Sequence, residues 1–165
     1  GTANRDESTF EISDKVYDRA QTMNFNKRAT KIYITNDMNY PKKFVSYNKL
    51  RQLFEETKAV GFDAENYEVI SKVENLLKPY NISFGNRILN QIETFVNAYV
   101  SCSDIESVAD QNRYIHEAVD CIIFSKVVRK LELKQIIDID LLIEEFENLG
   151  LTKCVEFLHS LVENI

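Results

Sequence analysis

From Phe62 onward the chain repeats apolar residues at steps of three and four. That period fits one face of an α-helix and no other regular structure, so it constrains the fold more than any other feature. Asp63 reads as the cap of a helix carrying Tyr67, Ile70, Val73 and Leu77 and ending before Pro79. Ile88, Leu89, Ile92, Phe95, Val96 and Tyr99 mark a second. A long third runs from about Ile105 to Leu131 through Ile115, Val119, Ile122, Ile123 and Val127. Asp140 opens a shorter fourth closed by Gly150, and Thr152 opens a fifth with Val155, Leu158 and Leu161 inward. Five amphipathic helices so closely spaced predict a compact bundle over residues 61–165. Eighteen aromatic residues supply large surfaces for its core, and only four Gly and two Pro argue against a loop-rich chain.

The first 60 residues have a different texture. Residues 1–26 read as a small-residue start, a short helix over Ser13 to Ala20 capped by Ser13, and a strand from Gln21 to Phe25. Residues 27–60 begin with a β-branched and aromatic run, Lys31 to Thr35, followed by a turn cluster through Pro41. Phe44-Val45 is expected as the returning strand of a hairpin. Ser46 then caps a helix to about Ala59, with Tyr47, Leu50, Leu53 and Phe54 on one side and Gly61 as terminator.

Charge is uneven. Residues 1–60 carry 11 bases and 8 acids, and residues 61–165 carry 9 and 18, within a formal total of −6. An acidic helical part does not hold nucleic-acid phosphate by itself. No apolar run approaches the ~20 residues of a membrane span, and the start has no basic-then-apolar leader, so a cytoplasmic protein with no membrane partner is expected. Cys102, Cys121 and Cys154 are widely spaced and odd in number, which fits reduced thiols, with Cys121 and Cys154 in apolar settings.

No phosphate-cradling G-x-x-x-x-G-K-[ST], no G-x-S-x-G and no H-E-x-x-H occurs, and no metal site is expected. His116 and Asp120 share a helix face, but no second His is near, so a surface hydrogen bond is the expected role. Lys126, Arg129 and Lys130 end the long helix, where cations suit its negative pole, and capping is expected of them. Arg87 follows Phe84-Gly85-Asn86 at a helix start, where a cation opposes the dipole and suggests an anion partner.

In order, these segments resemble the C-terminal part of an AAA+ NTPase of the McrB type, the nucleotide-driven motor of modification-dependent restriction systems. Gly1-Thr2-Ala3-Asn4 looks like the end of the sensor 1 strand, with Asn4 at the sensor position. Ser13-Asp14-Lys15-Val16-Tyr17-Asp18-Arg19-Ala20 is similar to the family's S-x-K-V-L-D-R-A segment, with Tyr17 in place of Leu and Arg19 at the arginine finger. Phe84-Gly85-Asn86-Arg87 resembles the F-G-Y-R lid motif, with Asn86 in place of the aromatic and Arg87 as sensor 2. Glu117 to Asp120 and Ser125 to Leu131 resemble the lid helix, with Arg129 where Pro is common.

The resemblance covers residues 1–25 and 80–132. It implies a mainly α chain: a helical lid bundle preceded by a strand/helix/strand remnant of an AAA+ α/β core. It further implies catalytic roles for Arg19 and Asn4 and nucleotide binding by Arg87. The parent would be a likeness of the family: a hexamer of AAA+ subunits using GTP or ATP with Mg²⁺, an McrC-like nuclease partner, and DNA held by other domains. Walker A and B segments are expected upstream of Gly1, so the chain alone is expected neither to hydrolyse nor to bind nucleotide tightly. An alternative of another class is a helical protein-interaction module, in which Arg19 and Arg87 pair with local acids such as Asp18. A DNA-binding helical domain is disfavoured by the acidic bundle.

Overall fold

A computed structural model of the chain describes residues 13–20, 30, 43–57, 62 and 64–162. Among them are seven α-helices: α1 (Asp14–Tyr17), α2 (Tyr47–Glu55), α3 (Ala64–Leu77), α4 (Asn86–Ser101), α5 (Val108–Lys126), α6 (Ile139–Asn148) and α7 (Thr152–Val162). The described residues form no strand. The strands expected before α1 and over Gln21 to Phe25, and the first hairpin strand over Lys31 to Thr35, lie outside them. Phe44 and Val45 are described, and they are exposed, irregular chain rather than a returning strand.

Helices α3 to α7 are the expected five. Their apolar stripes supply a continuous core in which Val73, Leu77, Ile92, Ile123, Phe146, Leu151 and Leu158 are sealed from solvent. The packing centres on α5, which lies against α4 on one side and α7 on the other, with α6 against α7. A single Leu or Ile so buried is worth about 1.5–3 kcal/mol relative to exposure.

Helix ends depart from the periodic reading where local chemistry overrides it. The long helix starts at Val108 rather than near Ile105, because the Ser107 hydroxyl accepts from the Asp110 amide (3.1 Å) and caps it. It stops at Lys126, after which Val128–Leu133 tighten into a 3₁₀ turn. The α6 cap is Asp138, whose carboxylate accepts from the Leu141 amide, so Asp140 falls inside the first turn. Ser46 caps α2 as expected, but the helix ends at Glu55, short of Ala59. Tyr67, expected inward, is exposed, with its hydroxyl donating to Glu93 on α4.

Candidate functional site

One face of α4 makes the site. Arg87, Asn90, Gln91, Thr94 and Ala98 recur at helical spacing beside the buried stripe of Ile88, Ile92 and Val96. Together with Arg19 after α1, Phe54 of α2, Phe95, and Ile122 and Lys126 of α5, they line an open groove of about 510 Å³. Two of the residues singled out in the sequence, Arg19 and Arg87, thus share one groove. Asn4, the third, lies outside the described residues.

The groove is held by one carboxylate. Asp18 accepts from Arg87 Nη2 (3.1 Å) through one oxygen and from Lys130 Nζ (2.6 Å) through the other. Lys126 Nζ donates to the Ala20 carbonyl. These bonds dock the segment bearing Arg19 onto the ends of α4 and α5. Arg19 is exposed and forms no ion pair with any described residue.

Lys126, Arg129 and Lys130 therefore do not act as exposed helix caps. All three are buried: Lys126 and Lys130 are spent on the docked segment, and Arg129 pairs with Glu132 at 3.6 Å. Burial pulls the Lys126 ammonium below the usual lysine range, Asp18 opposes that pull, and neighbouring Arg87 adds to it. An anion entering the groove would relieve this electrostatic load. Gln91 Oε1 is shielded from solvent and has no hydrogen-bond donor among the described residues. A buried acceptor of this kind wants an N–H or O–H partner.

Sequence reasoning missed Asn90, Gln91, Thr94 and Lys126 as lining residues. The signal was there in the polar stripe spaced three and four from Arg87, but it reads equally as a solvated face. The alternative reading named Asp18 as a partner for Arg87, but nothing in the sequence pointed to its second cation, Lys130.

The other pairing read from the sequence dissolves. His116 Nε2 donates to the Gly150 carbonyl (3.0 Å), while Asp120 is buried and accepts from the Lys153 and Cys154 amides (2.7 and 3.2 Å). Asp120 thereby caps α7 from a different helix. All three cysteines are free, but only Cys154 is fully buried; Cys121 is half-buried and Cys102 exposed. Among the described residues no three His, Cys, Asp or Glu side chains gather as a metal site. No helix of the described residues is long and apolar enough to cross a membrane.

Fold and groove define a mainly α-helical bundle protein with a basic, partly apolar cleft along α4. The chain belongs to the family described as Domain of unknown function (DUF8727), whose model matches residues 33–160. No curated protein and no solved structure matches it.

Proposed function

We propose that the bundle is the helical lid of an McrB-like AAA+ NTPase and that its basic groove receives the phosphate chain of a nucleotide. The observation that carries this reading is the convergence of Arg19 and Arg87, far apart in sequence, on one open cleft. Lys126 adds a third cation there, and Gln91 an acceptor suited to a hydroxyl or amine of the same ligand. In the transition state of phosphoryl transfer, negative charge spreads over the transferring group, and an arginine aimed at it is worth roughly 10³–10⁵ in rate. Arg87, at the start of α4, would couple phosphate contact to movement of the bundle. Exposed Arg19 would reach a neighbouring subunit's nucleotide, with Asn4 orienting the attacking water. GTP or ATP with Mg²⁺, a hexameric ring, an McrC-like nuclease and DNA bound through other domains remain the partners this reading carries.

The test has two levels. The chain alone, titrated with inorganic triphosphate, should show weak binding centred on α4 that Arg87→Ala abolishes, with no turnover of GTP or ATP. In the parent, with the sequence encoded upstream of Gly1, Arg19→Ala should cost roughly 10³-fold or more in turnover while leaving nucleotide affinity largely intact. Turnover that survives the change removes the finger role.

A second reading, a protein-interaction module, is favoured by the Asp18–Arg87 ion pair and by the exposed apolar side of α2. It expects triphosphate to leave the α4 resonances unmoved.

A further inference from the structure

Away from the groove, a second cluster of titratable side chains joins three helices. Asp120 clamps the first turn of α7 onto α5 by accepting the Lys153 and Cys154 amides. The clamp sets the Lys153 side chain over Cys121, the next residue of α5, with Tyr99 of α4 and Glu117 alongside. Lys153 Nζ lies 2.7 Å from Cys121 Sγ. That separation is at the short end of the roughly 2.7–3.2 Å range for nitrogen donors on oxygen, although sulfur is the larger atom. Nitrogen and sulfur are as close as two atoms spanned by a single third one. The pair is also reachable: Lys153 is exposed and Cys121 half-buried.

We propose that Cys121 and Lys153 form a modification site at which a peroxide-class oxidant joins Sγ to Nζ through one oxygen atom, tying α5 covalently to α7. In the first step one hydrogen peroxide oxidises the thiol to sulfenic acid, and its other oxygen leaves as water. In the second, the neutral Lys153 amine and a second peroxide react with the sulfenic acid. The nitrogen–oxygen bond forms, one amine hydrogen and the sulfenic hydrogen depart, and the second peroxide is reduced to two waters. Sulfur and nitrogen each give up two electrons, and the two peroxides accept all four.

The environment favours this order. Contact with the thiol raises the Lys153 amine above the usual lysine range and holds the ammonium against Sγ, the atom that peroxide attacks. Oxidation to sulfenic acid takes away that contact, which lets the amine release its proton more readily. Cys154 cannot compete, being sealed in the core, whereas exposed Cys102 oxidises without a cross-link and serves as an internal control.

The experiment is peroxide treatment of the native chain followed by intact-mass measurement and peptide mapping. Expected is a species heavier by one oxygen and lighter by two hydrogens, mapping to joined peptides that carry Cys121 and Lys153. Dithiothreitol should return it to the starting mass. Lys153→Arg should leave Cys121 oxidisable but never joined, and Cys121→Ser should abolish the species while leaving Cys102 oxidation intact. Oxidation in denaturant should lose the cross-link, because the fold creates the proximity. The proposal is overturned if Cys121 proceeds to sulfinic acid with Lys153 unmodified. It is equally overturned by a direct sulfur–nitrogen link lacking the oxygen, or by a cross-link formed as well unfolded as native.

Discussion

At the scale of single residues, Gly150 shows how one backbone conformation locks two helices. It holds φ at +70°, the left-handed region where a Cβ is costly, and ends α6 with paired bonds from Gly150 N to Glu147 O and from Leu151 N to Phe146 O. Its carbonyl accepts from His116, and a Cβ added there would sit 2.9 Å from His116 Nε2. Gly150→Ala should therefore cost about 1–2 kcal/mol from the backbone alone. A further ~0.5–1.5 kcal/mol should follow from the displaced hydrogen bond. Combining it with His116→Ala should cost less than the sum of the two in urea unfolding, since the steric conflict disappears.

Cys154 gives a pH signature. Burial foremost, then the Asp120 carboxylate, push its thiol well above the ordinary thiol range. The unfolded chain releases that proton near pH 8.5, whereas the folded chain keeps it. The stability it contributes is thus complete below pH ~8 and declines as pH rises through the alkaline range toward the folded value. Cys154→Ala should flatten the fall of Tm between pH 8 and pH 10, whatever its offset at neutral pH.

Helices α2 and α4 show that the same sequence signal has different meanings at the scale of elements. Both have strong apolar faces, yet α2 buries none of its residues, whereas α4 buries Ile88, Ile92, Val96 and Val100. Ile92→Ala should cost about 2–5 kcal/mol. Leu50→Ser on α2 should stay within about ±0.5 kcal/mol by denaturant unfolding. Periodicity made both helices legible, because spacing is a local property of the chain. It did not show which face finds a partner, since that depends on residues far away in sequence. Helix ends were partly legible for the same reason. Ser46 announced itself, but exposed Ile105 reads as the start of the long helix and hid the Ser107 cap. Asp120, capping α7 from α5, is invisible to any rule that searches within a few residues of the helix it serves.

At the scale of the molecule, the Asp18 carboxylate couples the segment before the bundle to the bundle itself. The sequence marked Arg19 and Arg87 as cations in search of an anion. The interaction-module reading named Asp18 as a local acid for both, and the structure pairs it with Arg87, 69 residues away. Lys130, buried and bonded to the other oxygen of the same carboxylate, has most to lose if that charge is removed. Asp18→Ala should destabilise the chain by about 1–3 kcal/mol, less than a fully buried pair because Asp18 is itself partly exposed. Hydrogen exchange should show residues 13–20 released while α4 and α5 stay protected. Asp18→Asn separates structure from charge, because its amide oxygen still accepts from Lys130 while the negative charge is gone. If the groove is an anion site, Asp18 is the anion that fills it in the free protein, and a phosphate must compete with it for Arg87. Asp18→Asn should then bind inorganic triphosphate about tenfold more tightly than the unaltered chain, equivalent to ~1.4 kcal/mol, and Arg87→Ala should cancel the gain. Weaker binding by Asp18→Asn would mean that the carboxylate shapes the groove rather than competing for it, and that the cations face their natural partner already.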